Sequence, residues 1–339
     1  MRTVMVTGPD QVEMVEEQDP VAGPRDLVVR VRACGVCGSD GYYIALGGIP
    51  PREGATPLGH EAAGEVLEAG SQVRGIAPSD HVVINPMGGD SRGLIGNGGP
   101  TGALTERLLI RDAVLGESVA LIPRDLPFEV AALNEPMAVA RHAVNRTSPA
   151  PGDQVVVFGA GPIGLGAAIG YKSAGAGSVV VVDLLPARLD KALAVGADAV
   201  INSAEEDVRE RLEALHGPGS DGIGAPRVGT DVYLDAAGAA EVIDTVLASA
   251  KRAATFGIVA VHKQPVPLDL TRALAAELNL VMAMGYPTEI FEVTGDIIAR
   301  PDEYATIISH RFSFDDALAA LETATTPGAA DKVVITVDE

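Results

Sequence analysis

The sequence predicts an α/β protein in which a mostly β region is followed by an open parallel sheet with helices on both faces. Three observations carry this. The chain has 339 residues, enough for about two domains at roughly 150 residues each. Its first 145 residues read as short alternating strands, for example 27–33, 64–69 and 81–85, broken by Gly and Pro clusters. From about residue 150 strand and helix patterns alternate, as a parallel sheet requires, because each of its strands must return through a crossover.

In order, 85–102 is a Gly-rich excursion with Pro86 and Pro100, and 129–145 is an Ala-rich helix that Pro136 either kinks or bounds. Strands are expected at 154–158, 178–182, 199–201, 231–234, 254–259 and 278–284. Helices are expected at 163–174, 187–195, 204–215 and 241–250. Six strands with these crossovers make a complete dinucleotide-binding sheet. Segment 216–229 reads as a Gly/Pro-rich loop. After Gly285 come a helix, a second helix at 314–324 and a closing strand at 333–337.

The run from Val155 to Phe158 leads into Gly159-Ala160-Gly161-Pro162-Ile163-Gly164. In such a strand-to-helix turn Gly159 makes the bend, Gly161 lets backbone approach a pyrophosphate, and Gly164 permits close packing. Pro162 and Ile163 open the helix whose free N–H groups meet phosphate charge. Asp183 ends the next strand, and a carboxylate there favours NAD over NADP by bonding ribose hydroxyls and repelling a 2′-phosphate. Its other reading is a helix N-cap. Arg188 nearby softens the preference.

Composition excludes several classes. With 25 basic against 46 acidic residues the net charge is −21, which repels nucleic acid and anionic membrane alike. No run approaches the ~20 apolar residues of a membrane span, and the start lacks a signal-peptide pattern. The expected location is cytoplasmic. Cys34 and Cys37 are the only cysteines, so a disulfide framework and a four-cysteine zinc site are both excluded; a C-x-x-C redox pair remains as an alternative.

Cys34-Gly35-Val36-Cys37-Gly38-Ser39-Asp40, Gly59-His60-Glu61 and Leu133-Asn134-Glu135-Pro136-Met137, followed by the Gly159 turn, resemble in their order the motifs of zinc-dependent medium-chain alcohol and polyol dehydrogenases. The Glu135-Pro136 pair is similar to the sorbitol, threonine and glucose dehydrogenase branch. The resemblance spans nearly the whole chain. It implies a GroES-like, mostly β catalytic domain over 1–146 and 286–339, a Rossmann domain over 147–285, an active site in the cleft between them, and a homodimer or homotetramer. The sixth strand is a plausible pairing edge. The implied reaction moves a hydride between an alcohol, polyol or sugar and NAD.

The resemblance makes Cys37, His60 and a carboxylate the zinc ligands. Three protein ligands leave a fourth position open for substrate or water, where zinc acidifies the alcohol. Glu61 and Glu135 compete for the third place and are expected to exchange, since both at once would close the site. Asp40 supports His60 from behind. Ser39 corresponds to the relay hydroxyl of the family, but where many members continue the relay with His this chain has Tyr42. Tyr42 and Tyr43 are alternatively substrate-pocket walls. Segment 85–102 contains no Cys, so the structural zinc of many relatives is not expected and one zinc per chain is. Within that segment, 91–99 resembles sugar dehydrogenase relatives. His81, His142, His216, His262 and His310 lack any such context and read as structural. The rivals are a zinc-free quinone or enoyl reductase of the same superfamily, which lacks this ligand set, and a non-catalytic NAD-binding protein on the same scaffold.

Overall fold

The computed structural model describes residues 1–49, 54–88 and 94–338; the 91–93 part of the sugar-dehydrogenase-like segment lies outside the described residues. The chain divides into two compact units, Met1–Pro136 with Ile290–Glu339, and Met137–Glu289.

The first unit is built on a seven-stranded sheet. Leu27–Gly35 lies near its centre, paired antiparallel with Glu61–Ala69 on one side and Val333–Thr336 on the other. Arg107–Ile110 also pairs with Leu27–Gly35, while His81–Ile84 and Val119–Leu121 extend the sheet beyond Glu61–Ala69. His310–Ser313 adds a parallel strand at the other edge. The core is made of β-branched residues that suit a pleated surface, among them Val29, Val31, Val66, Val82, Ile84 and Ile335. Cys34 is fully buried among them, and burial pushes its thiol pKa well up, with Asp40 and Glu61 adding to the shift. A thiol so placed packs as a small apolar side chain, which sets the C-x-x-C redox reading aside.

The second unit is a six-stranded parallel sheet ordered Ala199–Asn202, Ser178–Asp183, Gln154–Phe158, Val232–Asp235, Thr255–Ile258, Asn279–Met282. This is the doubly wound order in which the chain reverses direction across the sheet between the first and fourth strands. Gly159 has φ +95°, a left-handed conformation that glycine adopts without a Cβ clash. A Cβ on Gly164 would collide with the Gly159 carbonyl, so this helix can start only with glycine at that place.

Three elements differ from the sequence reading. The helix expected at 204–215 is Val208–His216, because Asp207 caps it by accepting from the Glu210 N–H at 2.9 Å. The expected loop 216–229 contains an antiparallel hairpin, Pro218–Ser220 with Pro226–Val228. The 129–145 helix is two, Phe128–Ala131 and Asn134–Thr147, with Pro136 in the tolerant first turn of the second. Within the second unit, bare Gly166 lets Met137 and Ala140 pack on the helix Pro162–Ser173. Among the described residues no helix is long and apolar enough to cross a membrane.

The surroundings of His216 make this unit sensitive to acid. Its Nδ1 bonds Thr230 Oγ1 at 2.8 Å, and its Nε2 is buried with no partner. Burial, opposed by Asp231 and reinforced by Lys251, lowers its pKa from 6.5 to about 4. The unfolded chain therefore takes up a proton that the fold refuses. The stabilisation is complete above pH 6.5 and is lost as pH falls toward 4. Denaturation midpoints measured across that window are expected to show a loss on the order of 2 kcal/mol, which His216→Asn flattens.

Candidate metal centre and dinucleotide site

Strand register assembles the first site. Gly35 pairs with Glu61 on one neighbour and with Val334 on the other. Extending the first antiparallel register by one residue brings His60 level with Val36. Extending the second by two brings Lys332 level with Cys37. The metal-ligand atoms of Cys37, His60 and Glu61 all lie within 4.8 Å of one another. His60 is 3% and Glu61 1% exposed.

Cys37 precedes the helix Gly38–Leu46, whose first turn carries Ser39 and Asp40. Asp40 reaches back so that its Oδ2 accepts the Cys37 N–H at 2.9 Å, satisfying one of the free donors of a helix start. Its Oδ1 faces His60 Nδ1 at 3.8 Å, which leaves the other ring nitrogen for the Cys37 side. Burial opposes charge on His60, but Cys37, Asp40 and Glu135 outweigh it and hold its pKa well above the ordinary value. Burial raises the Asp40 pKa as well, against the pull of His60.

Glu135 is buried in the first turn of the helix Asn134–Thr147. It is not part of the three-residue cluster, yet its charge acts on both His60 and Lys332. The preceding Asn134 fixes this turn: its Nδ2 donates to the Ile290 carbonyl at 2.6 Å and its Oδ1 accepts from Thr294 at 2.7 Å.

The donor set fits a dication on two counts. His60 is backed on its Nδ1 side by the buried Asp40 carboxylate, 3.8 Å away, so its other ring nitrogen is the one left for a metal. The cluster also concentrates acidic groups where water cannot screen them, a situation that bound metal relieves. A soft thiolate, an intermediate imidazole and a hard carboxylate together make a mixed set of the kind the borderline zinc ion takes. Tyr43 donates to Asn97 Oδ1 at 3.1 Å, its ring 6.3 Å from that of Tyr42, which is 63% exposed.

Sequence reasoning missed Lys332. Its Nζ is buried, donates to the Val36 carbonyl at 2.9 Å and forms a close ion pair with Glu61 Oε2. Burial disfavours its charge, but Glu61, Cys37 and Glu135 more than compensate and raise its pKa. Gly35 makes room for the pair, since a Cβ there would collide with Glu61 Oε2. Nothing local marks Lys332: it sits 271 positions from Glu61, just before an ordinary closing strand.

In the second unit Gly161 caps the helix Pro162–Ser173, with open space where its Cβ would be. Pro162 occupies the first helical position, where no N–H is needed, and Ile163 and Gly164 follow. Asp183 does not cap a helix, which corrects that alternative: the helix Pro186–Ala194 starts after Leu185. The Asp183 carboxylate instead accepts from Ala160 N–H at 2.8 Å through Oδ2, and from Leu184 and Leu185 N–H at 2.7 and 2.9 Å through Oδ1. It thereby ties the glycine turn to the end of the second strand. Arg188 lies half-buried in the first turn of the helix that follows.

Known proteins resemble this chain along nearly its whole length. A model of zinc-binding dehydrogenases matches residues 162–300, and one of alcohol dehydrogenase GroES-like domains matches residues 23–117. A Rhizobium meliloti (strain 1021) protein named "Putative D-xylulose reductase" is 32% identical over 319 residues, 89% of this chain and 88% of the relative. Sorbitol dehydrogenase of Rattus norvegicus is 29% identical over 99% of this chain and 96% of its own. Among solved structures, a "putative zinc-binding dehydrogenase" from Sinorhizobium meliloti 1021 bound to NADP superposes with a TM-score of 0.84 at 27% identity, covering 99% of this chain and 98% of that one.

The buried ion pair makes a testable demand. Lys332→Met strands the Glu61 carboxylate in the core, at an expected cost on the order of 3 kcal/mol. Adding Glu61→Gln removes the stranded charge and is expected to restore most of that loss. Denaturant midpoints of the metal-free single and double variants measure both.

Proposed function

Because the chain belongs to the family of zinc-dependent medium-chain alcohol and polyol dehydrogenases, we propose that it oxidises a secondary alcohol, polyol or sugar hydroxyl, with NAD as hydride acceptor, at a single zinc centre. The observation that carries this is the cluster of half-buried Cys37 with buried His60 and Glu61, whose ligand atoms lie within 4.8 Å of one another. The intact donor set speaks against both rivals, a zinc-free reductase and a non-catalytic relative.

In this reading Cys37 and His60 are permanent ligands, with Glu61 and Glu135 alternating in the third place. A zinc ion held by these residues would supply the Lewis acidity that lowers the pKa of the substrate hydroxyl, and a bound NAD would supply the hydride acceptor. Asp40 fixes the Cys37 backbone and backs the His60 ring, so the ligands need little reorganisation. Ser39 receives the hydroxyl proton and passes it on. Tyr42, exposed where many relatives use His, leaves that proton to a different exit. Tyr43, held by Asn97, and Tyr42 wall the substrate side.

Gly159, Gly161, Pro162, Ile163 and Gly164 receive the pyrophosphate. Asp183 receives the adenosine ribose and repels a 2′-phosphate, with Arg188 moderating the effect. The NADP found in a relative makes this preference a property to test rather than assume. The sheet edge Asn279–Met282 exposes Met282 to 56% and Leu280 to 39%, which suits pairing with a second copy in a homodimer or homotetramer. A reducing cytoplasm suits a free thiolate ligand.

Mass spectrometry of the intact protein is expected to show one tightly held zinc per chain. Chelation is expected to abolish alcohol oxidation across a panel of secondary alcohols, polyols and sugars, and zinc to restore it. Two zinc ions per chain, or full activity in metal-free protein, would overturn the reading. Catalytic efficiency with NAD is expected to exceed that with NADP by at least about tenfold, and Asp183→Ser to narrow the gap. Light scattering is expected to give a dimer or tetramer mass, whereas a monomer at micromolar concentration refutes pairing.

A further inference from the structure

His262 reads as structural in the sequence, yet the fold places it beside the point where the doubly wound sheet reverses direction. Asp235 ends the strand Val232–Asp235 and pairs with Phe158, the residue before the Gly159 turn. A Cβ on Gly159 would touch the Ala236 backbone at 3.0 Å, so the two loops lie in contact. The Asp235 carboxylate is fully buried. Its Oδ1 accepts from Ala237 and Gly238 N–H at 2.9 and 2.8 Å, and its Oδ2 meets His262 Nε2 at 2.8 Å.

A carboxylate fixed by two backbone donors can only accept, so it dictates the ring's tautomer. Nε2 carries the proton and, in the neutral ring, Nδ1 presents a lone pair. Among the described residues Nδ1 has no partner. The imidazole is 17% exposed, and it stands after the strand Thr255–Ile258, at the carboxyl ends of the strands where open α/β sheets bind ligands.

A dinucleotide bound by a sheet of this order would lie across the reversal point. Its adenosine half would go to the side of the first, second and third strands, where Asp183 stands. The fourth and fifth strands, with Asp235 and His262, are left for the other half. Resting on the dehydrogenase reading above, we infer that His262, held by Asp235, is a cofactor-binding residue whose Nδ1 accepts a hydrogen bond from a hydroxyl of the nicotinamide-side ribose.

Calorimetric titration of the intact zinc-loaded protein with AMP and with ADP-ribose separates this from a structural role. AMP carries only the adenosine ribose, whereas ADP-ribose also carries the second one. His262→Gln keeps an amide donor for Asp235, and its only acceptor, Oε1, is fixed to the same carbon as that donor and so displaced from the Nδ1 position. It is expected to weaken ADP-ribose roughly three- to tenfold while leaving AMP affinity and the melting temperature unchanged. Equal weakening of both ligands, or of neither, overturns the inference. His262→Ala, lacking both nitrogens, serves the same comparison if His262→Gln does not fold. If the wild-type protein binds neither AMP nor ADP-ribose, the dehydrogenase reading fails and the inference falls with it. Normal wild-type binding with an unselective variant sinks the inference alone.

Discussion

The metal centre depends on one registered residue, Gly35. It is flanked by Glu61 on one strand and Val334 on the other, and both registers are antiparallel, so residues beyond the strand ends are brought level across the sheet. A slip of one residue in either pairing would turn the side chains to the opposite face. The Cys37 and His60 ligands would part, and Lys332 would lose Glu61. The alternation of buried Val29 and Val31 with less buried Arg30 and Arg32 along the central strand therefore fixes the ligand geometry as well as the core.

Around that residue the protein buries an acid-rich cluster with one compensating ammonium. Lys332 neutralises Glu61 and also bonds the Val36 carbonyl, so the segment leading into Cys37 is held to the residue before the closing strand by a charge-assisted bond. This arrangement bears on the expected exchange of Glu61 and Glu135. Lys332 pairs directly with Glu61 and also feels the charge of Glu135, so its ammonium bears on both acids that compete for the third place.

Much of this was legible in the sequence. The alternation beyond residue 150 gives the six strands of the parallel sheet in place. The ligand motifs name three residues that the fold brings together across a sheet. What escaped has physical reasons. The hairpin inside 216–229 consists of two three-residue strands carrying Pro218, Gly219 and Pro226, composition that reads as loop because tertiary packing rather than propensity makes it pair. The late start of the helix at Val208 follows from a single Asp207 cap. Lys332 and His262 owe their places to contacts across long sequence separations, so no periodicity or spacing reports them.

Asp40, Asp183 and Asp235 show a shared solution to a problem of precision. Asp183 and Asp235 end strands and Asp40 sits in the first turn of a helix, and each accepts a backbone N–H within three residues: Cys37 for Asp40, Leu184 and Leu185 for Asp183, Ala237 and Gly238 for Asp235. One oxygen is thereby spent on the local turn, and the carboxylate loses its rotational freedom. The other oxygen is then aimed at a second group: the His60 ring, the Ala160 N–H of the glycine turn, or the His262 ring. A side chain already fixed by its own backbone adds little ordering cost when a metal or cofactor arrives, so more of the binding energy is retained. Asp serves here better than Glu, because its shorter stem reaches a backbone donor two or three residues away without a further rotor to freeze.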